Sequence, residues 1–158
     1  MRCRAAFLSL VLLAASPAAA GPGRTGVRLV SSLSEAVSRP GTPVLLVFFS
    51  TECASCYGDL FEARFAIEGG GYGVDVVGVS AAPAEELAAF LNKFAWERPV
   101  ISDRRKALFR RFSVDILPFK VFLVGGEAAY RDDAYRGPEA RWEELRRCLK
   151  KTMKPGVR

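Results

Sequence analysis

The sequence contains no histidine. Cys–His hydrolysis is thereby excluded, because a cysteine nucleophile would have no imidazole base. C-x-x-C-H haem attachment is excluded too, since Tyr57 follows Cys56. Cysteines are few, at four, and only Cys53 and Cys56 form a C-x-x-C. Structural zinc wants four ligands, usually a second cysteine pair or histidines. Neither exists here, so the sequence calls for no metal and no cofactor. No internal repeat and no low-complexity linker is present, and 158 residues fit one domain once a targeting segment is set aside. The net charge of +6 is mild, and Arg2 and Arg4 account for two of those charges. The one basic cluster is Arg104, Arg105, Lys106, Arg110 and Arg111. It reads as the solvated face of a helix whose Leu108, Phe109 and Phe112 turn inward. It is too small a stripe for nucleic-acid binding.

The N-terminus has the order of an export signal. Arg2 and Arg4 come first, then an apolar stretch from Ala5 to Ala15, then Ser16-Pro17 and the small residues Ala18-Ala19-Ala20. The apolar stretch is short of the ~20 residues a membrane span needs. Residues 1–20 therefore read as a signal peptide, and membrane contact is expected only if that segment is retained. Cys3 leaves with it. Cys53, Cys56 and Cys148 then remain in an oxidising compartment. An odd number is not a disulfide framework; it suggests one working pair and a leftover.

Residues 21–30 read as a flexible lead-in, rich in glycine at first. The spacing of Leu29, Val30, Leu33, Ala36 and Val37 suits a helix. Val44 to Phe49 is a continuous apolar run, the pattern of a strand buried on both faces. After Ser50 to Glu52 comes a helical pattern with Leu60, Phe61 and Phe65 on one side, ended by Gly69-Gly70-Gly71. Val74 to Val79 is a second buried strand. Pro83 opens a helix striped by Leu87, Phe90, Leu91 and Phe94. Pro99 to Ile101 is extended, and Asp103 can cap the helix that follows. Phe119 to Val124 is a third strand. Gly125-Gly126 turns it into an edge strand near Ala128 to Arg131. A last helix runs from about Pro138 to Lys151, with Trp142, Leu145 and Leu149 inward. The alternation predicts an α/β fold with a mixed sheet ending in a hairpin and helices on both faces. The domain spans residues 31–152, and 153–158 form a tail.

Chemistry concentrates at Cys53-Ala54-Ser55-Cys56, where a buried strand gives way to a helix. Backbone N–H groups and the dipole of a helix N-terminus favour negative charge. They stabilise the thiolate, which is the nucleophile. The x-x spacing brings the second sulfur within reach of the first. Cys53 can attack a partner's disulfide, and Cys56 can resolve the mixed disulfide. A purely structural bridge is the blander alternative, but so small a loop adds little stability.

The run Val44 to Cys56 and the run Ile116-Leu117-Pro118 with its following strand are similar to the two signatures of the thioredoxin superfamily. The chain from about Leu33 to Lys150 resembles its exported TlpA/ResA-type thiol–disulfide oxidoreductases. Pro118 lies 65 residues after Cys53. That separation fits the form with an extra strand–helix insert, to which Val77 to Ser80 and Pro99 to Asp103 are similar. The resemblance implies a thioredoxin-like three-layer sandwich. It implies a cis Pro118 beside the cysteine pair, with the Leu117 backbone presented to an incoming peptide. It also implies a proton-handling role for Asp59, three residues after Cys56. An ordinary helix-surface acid is the alternative for Asp59. Protein thiol/disulfide substrates and a membrane redox donor are the implied partners, with the reductase direction favoured and a periplasmic or otherwise extracytoplasmic location.

The chain departs from the pattern in three places. Glu52 replaces the tryptophan before the first cysteine, and an acid there opposes thiolate formation. The proline inside C-x-x-C is absent. Val47 stands where many relatives carry a buried polar residue. Two other functions stay open. A peroxide-reducing enzyme fits Ser50, three residues before Cys53, but would usually want a proline at Val47. A redox-inert binding module would keep the pair as a resting disulfide. Cys148 reads as a small buried apolar residue, and Trp96 and Trp142 as core.

Overall fold

The computed structural model describes residues 27–133 and 135–153. The signal-peptide assignment and Cys3 lie outside them, as does most of the C-terminal tail. Among the described residues no helix is long and apolar enough to cross a membrane.

Six strands form one mixed sheet, flanked by helices. The strands are β1 (Leu29–Val30), β2 (Val44–Phe48), β3 (Asp75–Ser80), β4 (Val100–Ser102), β5 (Phe119–Val124) and β6 (Glu127–Arg131). The helices are α1 (Leu33–Ala36), α2 (Ala54–Gly70), α3 (Ala84–Lys93), α4 (Ala107–Arg111) and α5 (Pro138–Thr152). The order across the sheet is β1-β4-β3-β2-β5-β6. Strands β1 to β4 run parallel to one another, while β5 runs antiparallel to β2 and to β6. Strand β2 is paired on both sides and buried along its whole length. That is why its sequence is apolar without alternation.

The two faces of β2 feed two cores. Leu45, Val47 and Phe49 pack with Cys56, Leu60, Leu87, Leu91, Trp142 and Leu145 beneath α2, α3 and α5. Val44, Leu46 and Phe48 pack with Ala36, Phe109 and Phe112 beneath α1 and α4. Two helix layers on one sheet make the expected three-layer sandwich. Strands β5 and β6 form the terminal hairpin. Gly125 and Gly126 both take positive φ at its turn, +60° and +88°, where a side chain would be strained.

Three expectations need correction. Leu29 and Val30 are not helical; they pair with Val100 and Ile101 as an edge strand. The sheet thus begins inside the stretch read as a flexible lead-in. The helix starts later because Ser32 and Glu35 form a reciprocal cap. Ser32 Oγ accepts from the Glu35 amide at 3.4 Å and donates to its carboxylate at 2.9 Å. That bond, with the Ser31 amide, holds the Glu35 carboxyl below its ordinary pKa. Phe65 is 66% exposed, because the inward stripe of α2 runs through Cys56, Leu60, Ala63 and Ile67 instead. Cys148 is only half-buried. Its Sγ lies 3.5 Å from the Ala129 carbonyl oxygen.

Candidate active site

Strand β2 ends at Phe48, and a four-residue link delivers Cys53 to the N-cap position of α2. The link is held by the Cys53 amide donating to Ser50 O at 3.2 Å and the Glu52 amide to Ser50 Oγ at 3.3 Å. Cys53 and Cys56 form a disulfide, their Cα atoms 5.3 Å apart. Cys56 is fully buried, whereas Cys53 is only half-buried. The accessible sulfur is thus the one that can meet a partner. The hidden one can reach only its neighbour. Ser55 Oγ lies 3.4 Å from Cys53 Sγ, within hydrogen-bond range of a sulfur.

The Leu117–Pro118 peptide bond is cis. Leu117 is half-buried and lines a groove of about 300 Å³ together with Phe49, Ser50, Thr51, Glu52 and Glu86. The groove therefore runs from the residues before Cys53 to the proline loop, bringing both predicted signatures to one place. Among the described residues neither backbone polar group of Leu117 makes a hydrogen bond. A strand laid along it would find both free.

Asp59 is not a solvated surface acid. Its Oδ2 accepts from Lys120 Nζ at 2.5 Å, and its side chain is 12% exposed. Sequence reasoning missed Lys120 altogether. The signal was a lysine inside the apolar run Phe119 to Val124, since a charge on a buried strand needs partners. Lys120 is fully buried. Its Nζ also lies 3.1 Å from Asp132 Oδ2 and 4.5 Å from the centre of the Trp142 ring. Asp132, fully buried in the link after β6, was missed as well. Among the described residues no group of three or more side chains forms a candidate metal site.

The AhpC/TSA family matches residues 26–131, about two thirds of the chain. The chain belongs to the AhpC/TSA family. This is a family of redox enzymes, and the match covers both cysteines, Asp59 and Pro118. Solved structures agree on the fold. The thioredoxin domain of a thiol-disulfide oxidoreductase from Bacteroides vulgatus has a TM-score of 0.58 at 16% identity, covering 77% of this chain and 84% of that one. A secreted Mycobacterium tuberculosis disulfide oxidoreductase gives 0.52 at 17% identity, covering 70% and 82%. The peroxidoxin BcpB from Mycobacterium tuberculosis gives 0.59 at 17% identity, covering 71% and 80%. At such identities the likeness establishes the thioredoxin-like fold alone. No curated protein sequence gave a significant match.

Proposed function

We propose that this AhpC/TSA member is an extracytoplasmic thiol–disulfide oxidoreductase that reduces disulfides in protein substrates. The supporting observation is the Cys53–Cys56 disulfide at the start of α2, sharing a groove with Leu117. The charged, apolar and small-residue order of residues 1–20 supports export.

In the reduced enzyme the Cys53 thiolate attacks one sulfur of a substrate disulfide. A Cys53–substrate bond forms, the substrate S–S bond breaks, and the departing thiolate takes a proton from water. Leu117 and Pro118 hold the peptide as an added strand during this step. Cys56 then loses its thiol proton to the Asp59 carboxylate and attacks Cys53 Sγ. The second substrate thiolate leaves and is protonated, and the enzyme disulfide is restored. Two electrons have moved from the enzyme dithiol to the substrate. A dithiol on a membrane redox donor returns them by the same exchange. No cofactor enters the cycle.

The deciding measurement is the reduction potential of the couple. A value near or below roughly −270 mV supports the reductase direction, and one near about −120 mV points to disulfide insertion. If the folded protein does not exchange at all, the pair is inert and the binding-module alternative replaces this reading. Family membership favours one further reading, peroxide reduction. It predicts Cys53-dependent peroxide consumption. Val47 sits fully buried in mid-β2 where that chemistry usually wants a proline.

A further inference from the structure

Lys120 belongs to a longer buried chain of charge. Asp132 pairs with Lys120 Nζ at 3.1 Å and accepts from the Lys120 amide at 2.9 Å. It also takes Tyr130 OH at 2.6 Å and Arg141 Nη1 at 3.4 Å. Arg141, itself buried on α5, donates from the same Nη1 to the Pro118 carbonyl oxygen at 3.0 Å. The charges alternate along Asp59, Lys120, Asp132 and Arg141 and sum to zero. One end lies a turn beyond Cys56, at a groove of about 350 Å³ between α2 and α5 that Asp59 lines. The other end is the proline of the docking loop.

Packing does not require these charges. Desolvating each ion costs several kcal/mol, and an apolar set of similar volume is often as stable or more so. The surroundings are apolar: Val47 stands opposite Lys120 across β2–β5, and Trp142 lies against it. A methionine would fill the Lys120 space. What an apolar filling cannot do is fix a carboxylate on α2, three residues beyond Cys56, and the Pro118 carbonyl at once.

We propose that Lys120, Asp132 and Arg141 are positioning residues that couple the proton acceptor of the redox pair to the peptide-docking loop. Lys120 orients Asp59 toward Cys56. Arg141 sets the Pro118 carbonyl and hence the backbone beside it. Asp132 ties the two cations together, so a shift at either end is felt at the other. The proposal rests on the roles given above to Asp59 and Pro118.

The test uses the full exported domain with a disulfide-bonded peptide as substrate. Lys120→Met is expected to lower kcat more than it raises KM. Arg141→Met should raise KM more than it lowers kcat. In the Lys120→Met/Arg141→Met double variant the losses in kcat/KM should be non-additive by about threefold or more, as for groups sharing one network. Unfolding of Lys120→Met is met by comparing Asp59→Asn with Asp59→Asn/Lys120→Met, which removes the pair together. Lys120→Met should then cost little further kcat, because its route through Asp59 is gone. Additive losses, or variants that lose thermal stability while keeping wild-type kcat and KM, overturn the coupling. A wild-type protein that exchanges no peptide disulfide overturns the oxidoreductase reading instead, so the two failures are distinguishable.

Discussion

Lys120 of β5 stands directly opposite Val47 of β2, in register across the antiparallel pair. The strand that leads to the cysteines is wholly apolar, and the buried charge comes from its neighbour. Lys120 reaches Asp59 on the helix that Cys53 caps, so sheet and redox helix are joined by an ion pair.

Cys53 and Cys56 should behave unequally when each is replaced by serine. Cys53→Ser removes the accessible nucleophile and abolishes exchange. Cys56→Ser leaves the attack intact and removes resolution, so a mixed disulfide between Cys53 and the substrate accumulates. Non-reducing electrophoresis followed by mass spectrometry of the adduct reads this directly. Adducts through Cys148 in a Cys53→Ser background would contradict the assignment.

Asp59→Asn should slow the resolving step by roughly 100-fold, the lower end of what a positioned proton acceptor supplies. It also leaves Lys120 with Asp132 as its remaining carboxylate. Stability should fall by about 1–3 kcal/mol, the cost of an unsatisfied buried polar group. Rapid-mixing kinetics of mixed-disulfide decay and denaturant unfolding separate the two effects. A variant that is destabilised but resolves at the wild-type rate would leave Asp59 a structural ion-pair partner only.

The strands were readable because burial on both faces leaves apolar runs, unbroken in Val44 to Phe48 and interrupted only by Lys120 in Phe119 to Val124. The redox pair was readable because its chemistry is local: two cysteines one turn apart at a helix start. The Asp59–Lys120–Asp132–Arg141 chain was not. Its members lie on α2, β5, the link after β6 and α5, and only the sheet register and helix packing bring them together. Leu29 and Val30 were misread for a related reason. A two-residue edge strand carries no periodicity of its own and is defined by its partner β4.

Gly78 pairs with Val47 from the other side, and its missing side chain matters. A Cβ there would lie 3.0 Å from both Phe49 Cε1 and Val100 Cγ2, and 3.7 Å from Leu60 Cδ2. Gly78→Ala should therefore destabilise the protein by about 1–3 kcal/mol through overpacking. Urea titration should show a lower midpoint at unchanged slope. An unchanged midpoint would mean that Phe49 and Val100 can move aside freely.

Glu52 sits beside Cys53 on the exposed rim of the groove. Its negative charge opposes a thiolate on Cys53. Glu52→Gln should raise the rate of Cys53 alkylation in the reduced protein by about twofold, a small effect because exposed charges are screened. The gain should shrink as salt is added, since the Debye length falls to about 3 Å at 1 M. A gain that persists in high salt would point to a change in local structure rather than to charge.

Tyr130 offers a pH test of the buried chain. Its hydroxyl donates to Asp132 Oδ1 at 2.6 Å and also lies 2.8 Å from the Arg141 carbonyl oxygen. Burial first, and then the bond to Asp132, push its pKa above the ordinary tyrosine value. Raised basicity means that the folded state keeps a proton the unfolded chain gives up. The resulting stability is fully present below about pH 10, the unfolded value, and is lost as the pH rises above it. Tyr130→Phe should cost about 1.5–3 kcal/mol at neutral pH, the range for a hydrogen bond to a charged group. The variant should also lose this alkaline decline, so the gap to wild type narrows as the pH rises past 10. Denaturant unfolding of both proteins from neutral to alkaline pH measures it. A gap that stays constant across that range would mean that Tyr130 does not hold its proton for Asp132.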